Sequence, residues 1–220
     1  MTRFYFVRHG KTFWNLEGRY QGASGDSPLL PESYRDIKLL AQALVDKKID
    51  HIYSSPIKRA YLTAKTLDEA LGGQIPLSTS SNLKEFDLGI MEGQKFTDME
   101  KKYPQEVWAF RNDPSKYDAT VIKGESFAAV IKRTTSFICG LAQAQTASSK
   151  TFIIVSHGAA SVAMIQSLLN VPLAKVRQNG GLANTSLTTV DTHDHGQTFE
   201  LIKWNDTSFL KRKTDKTDTI

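Results

Sequence analysis

The sequence predicts an α/β protein, a three-layer α/β/α sandwich around a mainly parallel sheet. Three observations point to it. Short apolar runs of strand length alternate with segments whose apolar residues recur at helical spacing, an order that puts helices on both faces of one sheet. The run Phe152-Ile153-Ile154-Val155 is apolar throughout, as a strand covered on both faces requires. The 220 residues contain no break in composition and no long Gly/Ser/Pro linker, so one core of α/β size is expected.

The elements follow in order. A first strand spans Arg3 to Val7, and a polar, glycine-bearing loop continues through Gly22 to Pro31. Ile37, Leu40, Ala41 and Leu44 then form an i, i+3, i+4, i+7 stripe, the buried face of a helix. The short strand "HIYSS" stops at Pro56, with Ser55 expected as the cap and Pro56 as the first position of a second helix. Ala60, Ala64, Leu67 and Leu71 are its core stripe, and Gly72-Gly73 end it.

"QIPLSTSSNLKEF" is expected as a strand and its exit. Residues 90–123 are irregular, with one helix expected from Thr97 to Arg111, and are taken as a small lid-like insertion. Gly124-Glu125-Ser126 opens a long helix bearing Phe127, Val130, Ile131, Thr134, Phe137, Ile138 and Leu141 on one side. "FIIVS" is the next strand, and "AASVAMIQSLLN" is a helix stopped at Pro172. "SLTTVDTHDHGQTFELIKWN" alternates and turns at His195-Gly196, so it closes the sheet as an antiparallel hairpin. The expected organisation is one domain over 1–205, followed by a polar, solvated tail over 206–220.

The chain enters its first strand without a basic-then-apolar signal segment, and no apolar run approaches the ~18 residues of a membrane span. A soluble, cytoplasmic protein is expected. Cys139, the only cysteine, lies in a helical pattern and is expected as a small core residue. The net charge of +5 suits nucleic acid, an anionic membrane surface or a small anionic substrate equally, and the basic residues are dispersed except near the C-terminus. An exposed edge strand such as "TFELIKW" would also allow a homo-oligomer.

Chemistry enters with two similar runs, "RFYFVRHGKTFWN" and "KTFIIVSHGAAS", each an apolar strand ending in His-Gly. In parallel sheets ligands bind beyond the carboxyl ends of strands. Arg8, His9 and His157 therefore meet at one edge, and Arg59, in the first turn of a helix, and Glu85, after a strand, are expected beside them. Thr12 and Asn15 add small donors. Two forked guanidiniums, two imidazoles and one carboxylate describe a pocket for a tetrahedral dianion. An imidazole beside two permanent cations stays neutral and can attack phosphorus, while a carboxylic acid protonates the leaving oxygen.

At this point "VRHGKTFWN", "SSPIKRAYLTA", "LKEFDLGIMEG", "GES" and "VSHG", in this order, resemble the histidine phosphatase superfamily, with its phosphoglycerate mutase-like fold. The resemblance spans Phe4 to about Thr185. It implies that His9 is the phosphorylated nucleophile and Glu85 the proton donor and acceptor. It further implies that Arg8, Arg59 and His157 hold the phosphoryl oxygens, and that Thr12, Asn15, Gln21, Gly22 and Gly158 line the substrate site. The implied activity is phosphomonoester hydrolysis of a small phosphorylated metabolite through phosphohistidine, with no metal or other cofactor.

The family also contains cofactor-dependent mutases, which resemble one another in an arginine directly after the catalytic glutamate and a tyrosine two residues beyond. Here those positions are Phe86 and Leu88, and the mutases' arginine pair in the insertion is matched only by Arg111-Asn112. A phosphatase is therefore expected ahead of a 2,3-bisphosphoglycerate-dependent phosphoglycerate mutase. Other readings are weaker. A zinc hydrolase using His9, His157 and Glu85, or His193-Asp194-His195, would set a divalent cation against two arginines and lacks a His-Glu-x-x-His segment. A phospho-ligand binding module without turnover would not need both His9 and Glu85. Asp87 and Glu92 are the rivals of Glu85 for the acid; Lys11, Lys58 and Lys84 are expected as solvated or steering charges. Phe13, Trp14, Phe86, Trp108 and Phe110 form either an aromatic wall of the leaving-group pocket or plain core.

Overall fold

A computed structural model describes residues 1–145 and 149–219. Six strands form one sheet: β1 Thr2–Arg8, β2 His51–Ser54, β3 Leu77–Thr79, β4 Lys150–Ser156, β5 Leu187–Thr192 and β6 Glu200–Asp206, in the order β3-β2-β4-β1-β5-β6. β3, β2, β4 and β1 are mutually parallel, while β5 runs antiparallel to β1 and β6 antiparallel to β5. The expected closing hairpin is present, and His195 and Gly196 both take left-handed backbone in its turn.

The helices are α1 Phe13–Leu16, α2 Pro31–Leu44, α3 Lys58–Ala70, α4 Phe96–Lys102, α5 Pro104–Asn112, α6 Phe127–Gln143 and α7 Gly158–Leu168. The two-residue repeat of strands sorts the sheet's side chains into two layers. Tyr5, Val7, Ile153 and Val155 point to one face and pack with Ile37, Leu40, Leu44, Ala60, Ala64 and Leu67 of α2 and α3. Phe4, Phe6, Phe152 and Ile154 point to the other and pack with Ile138 of α6 and Val162, Ile165 and Leu168 of α7. This is the α/β/α sandwich.

Three boundaries differ from expectation. α3 begins at Lys58 with Ile57 as its cap residue: Pro56 stays outside the helix, and the Ser55 hydroxyl accepts from the Ile57 N–H at 3.3 Å, ahead of the first turn, while bonding His157. The single helix expected over Thr97 to Arg111 is two, broken at Tyr103, since Pro104 disfavours helical backbone in the residue before it. The strand expected in "QIPLSTSSNLKEF" is three residues long, and a one-turn 3-10 segment, Ser81–Leu83, follows it.

The segment 90–123 is not loosely laid on the surface. Met91, Met99, Val107, Phe110 and Ile122 share a core with Phe86, Phe127, Val130, Ala159 and Ala160. Phe86 and Phe110 therefore belong to the core, with Phe127 4.8 Å and 5.3 Å from them between ring centroids, and do not wall a pocket. Trp108 is exposed beside Lys116.

The solvated tail is also corrected. β6 runs to Asp206, Leu210 is buried, and the Asp218 side chain is fully buried with Arg212 and Lys11 as ion-pair partners. Lys11, expected in solvent, is buried by the same contacts. Among the described residues no helix is long and apolar enough to cross a membrane.

Candidate active site

The register of the sheet explains the paired His-Gly runs. β1 and β4 are in phase, Val7 opposite Val155 and Arg8 opposite Ser156, and the His9 backbone N–H donates to the Ser156 carbonyl at 3.0 Å. His9 and His157 therefore leave the sheet at the same level, their rings 5.3 Å apart between centroids. All five of Arg8, His9, Arg59, Glu85 and His157 are buried, none more than 2% exposed.

His9 carries its proton on Nδ1, which donates to the Gly10 carbonyl at 2.8 Å, so Nε2 presents a lone pair. The Nε–H of Arg59 donates to that lone pair at 3.3 Å. Burial, then the charges of Arg59 and Arg8, push the His9 imidazolium well below the usual histidine range. His157 is lowered by burial and by Arg59, His9 and Arg8 in the same way. Its Nε2 bonds the Ser55 hydroxyl at 2.8 Å, while its Nδ1 is buried without a hydrogen-bond partner among the described residues.

Arg59 enters from the first turn of α3, and its outer nitrogens are anchored by the Gly25 carbonyl at 2.8 Å, the Asp26 carboxylate at 3.0 Å and the Gly22 carbonyl at 3.0 Å. Burial lowers its pKa, with Asp26 opposing. Arg8 commits Nη1 to the Leu182 carbonyl at 2.6 Å and to the carbonyl of Asp218. Its Nε and Nη2 are buried with no hydrogen-bond partner among the described residues. Burial brings the Arg8 guanidinium down to about 10. A buried N–H without an acceptor is costly, so these orphan donors mark where an anion fits.

Glu85 follows the Ser81–Leu83 turn and aims its carboxylate at the N-terminus of α7. Its carboxylate accepts from the backbone N–H groups of Phe86 at 2.9 Å, Ala159 at 3.0 Å and Ala160 at 2.8 Å. Its rivals are otherwise engaged. Glu92 accepts from Ser24 at 3.0 Å, from the N–H of Gly25, and from Leu88 at 3.1 Å, bracing the loop that anchors Arg59, and Asp87 is exposed and accepts from Gly89.

The substrate-binding candidates gather around α1. Thr12 caps that helix with Asn15 in a reciprocal box, and Gln21 Nε2 donates to the Thr12 hydroxyl at 2.6 Å. Gly22 is a steric necessity, since a Cβ there would lie 2.7 Å from the Phe86 carbonyl, and Gly158 gives close room to Arg8, whose Nε would lie 3.2 Å from a Cβ at 158.

Some site neighbours escaped sequence reasoning. Asn184, fully buried, donates to the His9 carbonyl at 3.0 Å; Thr63 accepts from the Gly10 N–H at 3.0 Å. Arg177 is buried over the Phe110 ring, brought down to about 10 by burial while Glu85 opposes the shift. A polar or basic residue in a loop or on a helix carries no periodic signal, so only the folded chain finds these. Among the described residues no three His, Cys, Asp or Glu side chains cluster closely enough to hold a metal ion.

Comparison with known proteins agrees with this geometry. The sequence profile of the histidine phosphatase superfamily (branch 1) matches residues 4–207. Phosphoserine phosphatase 1 of Hydrogenobacter thermophilus is 34% identical over 175 residues, 80% of each chain. A protein named probable phosphoglycerate mutase from Yersinia pestis is 31% identical, covering 87% of this chain and 85% of its own. The structure of mycobacterial glucosyl-3-phosphoglycerate phosphatase with VO3 superposes with a TM-score of 0.83 at 27% identity, covering 93% of this chain and 99% of that one. With the paired histidines, the buried arginines and this match along nearly its whole length, the chain belongs to the histidine phosphatase superfamily and is a phosphatase.

Proposed function

We propose that the protein hydrolyses a small phosphorylated metabolite through a phosphohistidine on His9, without a metal ion. The observation that carries the reading is the set of orphan donors. Arg8 Nε and Nη2 are fully buried and unpartnered among the described residues, in the same site as a neutral imidazole whose Nε2 lone pair is free of its own proton. A phosphoryl group would supply those acceptors.

In this reading Nε2 of His9 attacks phosphorus and the phosphorus–oxygen bond to the leaving group breaks. Glu85, in its acid form, gives its proton to the departing oxygen. Arg8 and Arg59 stabilise the equatorial oxygens, Arg59 turning its Nε–H from His9 to phosphate, and His157 donates a third hydrogen bond. Water then attacks phosphorus, its proton passing to Glu85, and the nitrogen–phosphorus bond breaks to release inorganic phosphate. Thr12, Asn15, Gln21, Gly22 and Gly158 shape the pocket around these groups. The cytosol is the proposed compartment, and the relatives' names, a phosphoserine phosphatase and a glucosyl-3-phosphoglycerate phosphatase, support a small acidic metabolite.

A mutase is the second reading, favoured by the relative named phosphoglycerate mutase. Phe86 and Leu88 speak against it, because both are buried in apolar core where polar substrate contacts would be needed. The test is rapid acid-free quenching of enzyme with radiolabelled p-nitrophenyl phosphate in excess chelator, wild type beside His9→Ala. Acid-labile label on wild type and none on the variant is expected. Hydrolysis that continues in His9→Ala would sink the reading, and transfer of label to 3-phosphoglycerate would put the mutase first.

A further inference from the structure

The "GES" run has no part in the chemistry above, yet its glutamate meets the segment that carries Glu85. Arg133, one and a half turns into α6, has a contact for each of its five N–H groups. Nε and Nη2 pair with the two Glu125 oxygens, each at 2.8 Å. Nη1 donates to the carbonyls of Asn82 at 2.7 Å and Lys84 at 2.8 Å, and Nη2 to that of Glu85 itself at 3.1 Å. Glu125 also brackets the far side of the segment, its backbone N–H donating to the Asp87 carbonyl at 2.7 Å.

The carbonyl left out of this set is that of Leu83, and it accepts from the hydroxyl of Ser156, the residue before His157, at 2.8 Å. Residues 82–85 lie beyond β3 and have no strand ladder of their own. Four consecutive carbonyls are thus tied down by two side chains, three of them by one guanidinium. The carboxylate of Glu85 is held from the opposite side by α7. A carboxyl that must reach a leaving oxygen within a few tenths of an ångström needs such a backbone clamp.

We infer that Arg133, oriented by Glu125, is a positioning residue for proton transfer by Glu85. The inference rests on Glu85 being the acid. Lysine keeps the charge but has three donors on one nitrogen, so it cannot span the three carbonyls and the carboxylate together.

The test measures kcat/KM for p-nitrophenyl phosphate, phenyl phosphate and glycerol phosphate, which differ in leaving-group pKa, with wild type, Arg133→Lys, Glu125→Gln and Glu85→Gln. Thermal melts identify folded variants, and Glu125→Gln, which keeps the shape of the pair, stands in if Arg133→Lys unfolds. The expected result is a loss of ~10- to 100-fold for glycerol phosphate and under ~3-fold for p-nitrophenyl phosphate in the clamp variants, in the same direction as Glu85→Gln. Equal losses for both substrates, or none, while Glu85→Gln discriminates between them would overturn the clamp alone. If Glu85→Gln itself slows all three substrates equally, the acid role of Glu85 falls and the inference falls with it.

Discussion

The Nε–H of Arg59 points at Nε2 of His9 across 3.3 Å, so one guanidinium both covers the lone pair proposed to attack and stands ready to receive what it attacks. The same side chain is tethered by Gly22, Gly25 and Asp26, all in the loop after α1. Position and charge are therefore inseparable in this residue. Arg59→Lys retains the charge and loses the fork. We expect kcat/KM on p-nitrophenyl phosphate to fall ~100- to 1000-fold, the range for removing one oriented donor from a transition state. Steady-state kinetics beside a thermal melt checks it; a change under ~3-fold in a folded variant would remove Arg59 from the phosphoryl site.

Gly158 offers a subtler probe. Its missing Cβ leaves room for the Arg8 guanidinium, whose Nε would stand 3.2 Å from an alanine methyl. Gly158→Ala sits at the first position of α7, where alanine costs the helix nothing. Arg8 must give by a few tenths of an ångström, and we expect kcat/KM to drop ~10-fold with unfolding free energy changed by about 1 kcal/mol or less. Unchanged kinetics would mean that Arg8 Nε does not touch the reacting group.

The sandwich and the meeting of Arg8, His9, Arg59, Glu85 and His157 were legible in the sequence because each rests on a local signal: an apolar run, a strand end, a helix start. What was not legible is of another kind. Asn184 and Arg133 act through backbone carbonyls far away in the chain, and nothing in their neighbours announces this. The charge of Lys11 suggests solvent, yet Asp215 and Asp218 return from the other end of the chain to pair with it where it is buried. The sequence predicts Ser55 as a helix cap; its hydroxyl accepts from the Ile57 N–H just before the helix and also bonds His157, a second use that nothing local announces.

The two buried histidines predict a pH dependence of stability. Their folded-state pKa values are depressed, so below the unfolded value near 6.5 the unfolded chain takes up protons that the folded chain refuses. Stability is then complete above about pH 6.5 and is lost as pH falls below it. Each histidine contributes a slope of up to ~1.4 kcal/mol per pH unit in that window. Urea unfolding from pH 7.5 to 5.5 should show the slope in wild type and a clearly flatter one in His9→Gln/His157→Gln. Parallel curves would mean that neither imidazole is held neutral.

Asp218 joins the C-terminal segment to the site from two directions. Its backbone carbonyl accepts from Arg8 and from the Asn184 N–H at 3.0 Å, while its carboxylate accepts from Arg212 at 2.8 Å and 2.9 Å and from the Asp215 N–H at 2.8 Å. Burial alone would push this carboxyl up, but Arg212, the Asp215 N–H and Lys11 outweigh it, and the pKa is lowered. Asp218→Asn removes the charge and keeps the shape, so buried Lys11 and half-buried Arg212 each lose one of two carboxylate partners, Lys11 keeping Asp215 and Arg212 keeping Asp36. We expect a loss of about 2 kcal/mol at neutral pH, below the ~3–5 kcal/mol of a fully buried pair because Arg212 reaches solvent. A depressed carboxylate contributes stability above its unfolded pKa near 4 and loses it as pH falls through the folded value. The difference between wild type and Asp218→Asn in urea unfolding should therefore shrink steadily below about pH 4. A difference that is constant down to pH 3 would trace the effect to packing of the amide and not to the ion pairs, and no difference at pH 7 would mean that the C-terminal segment does not hold this pose in solution.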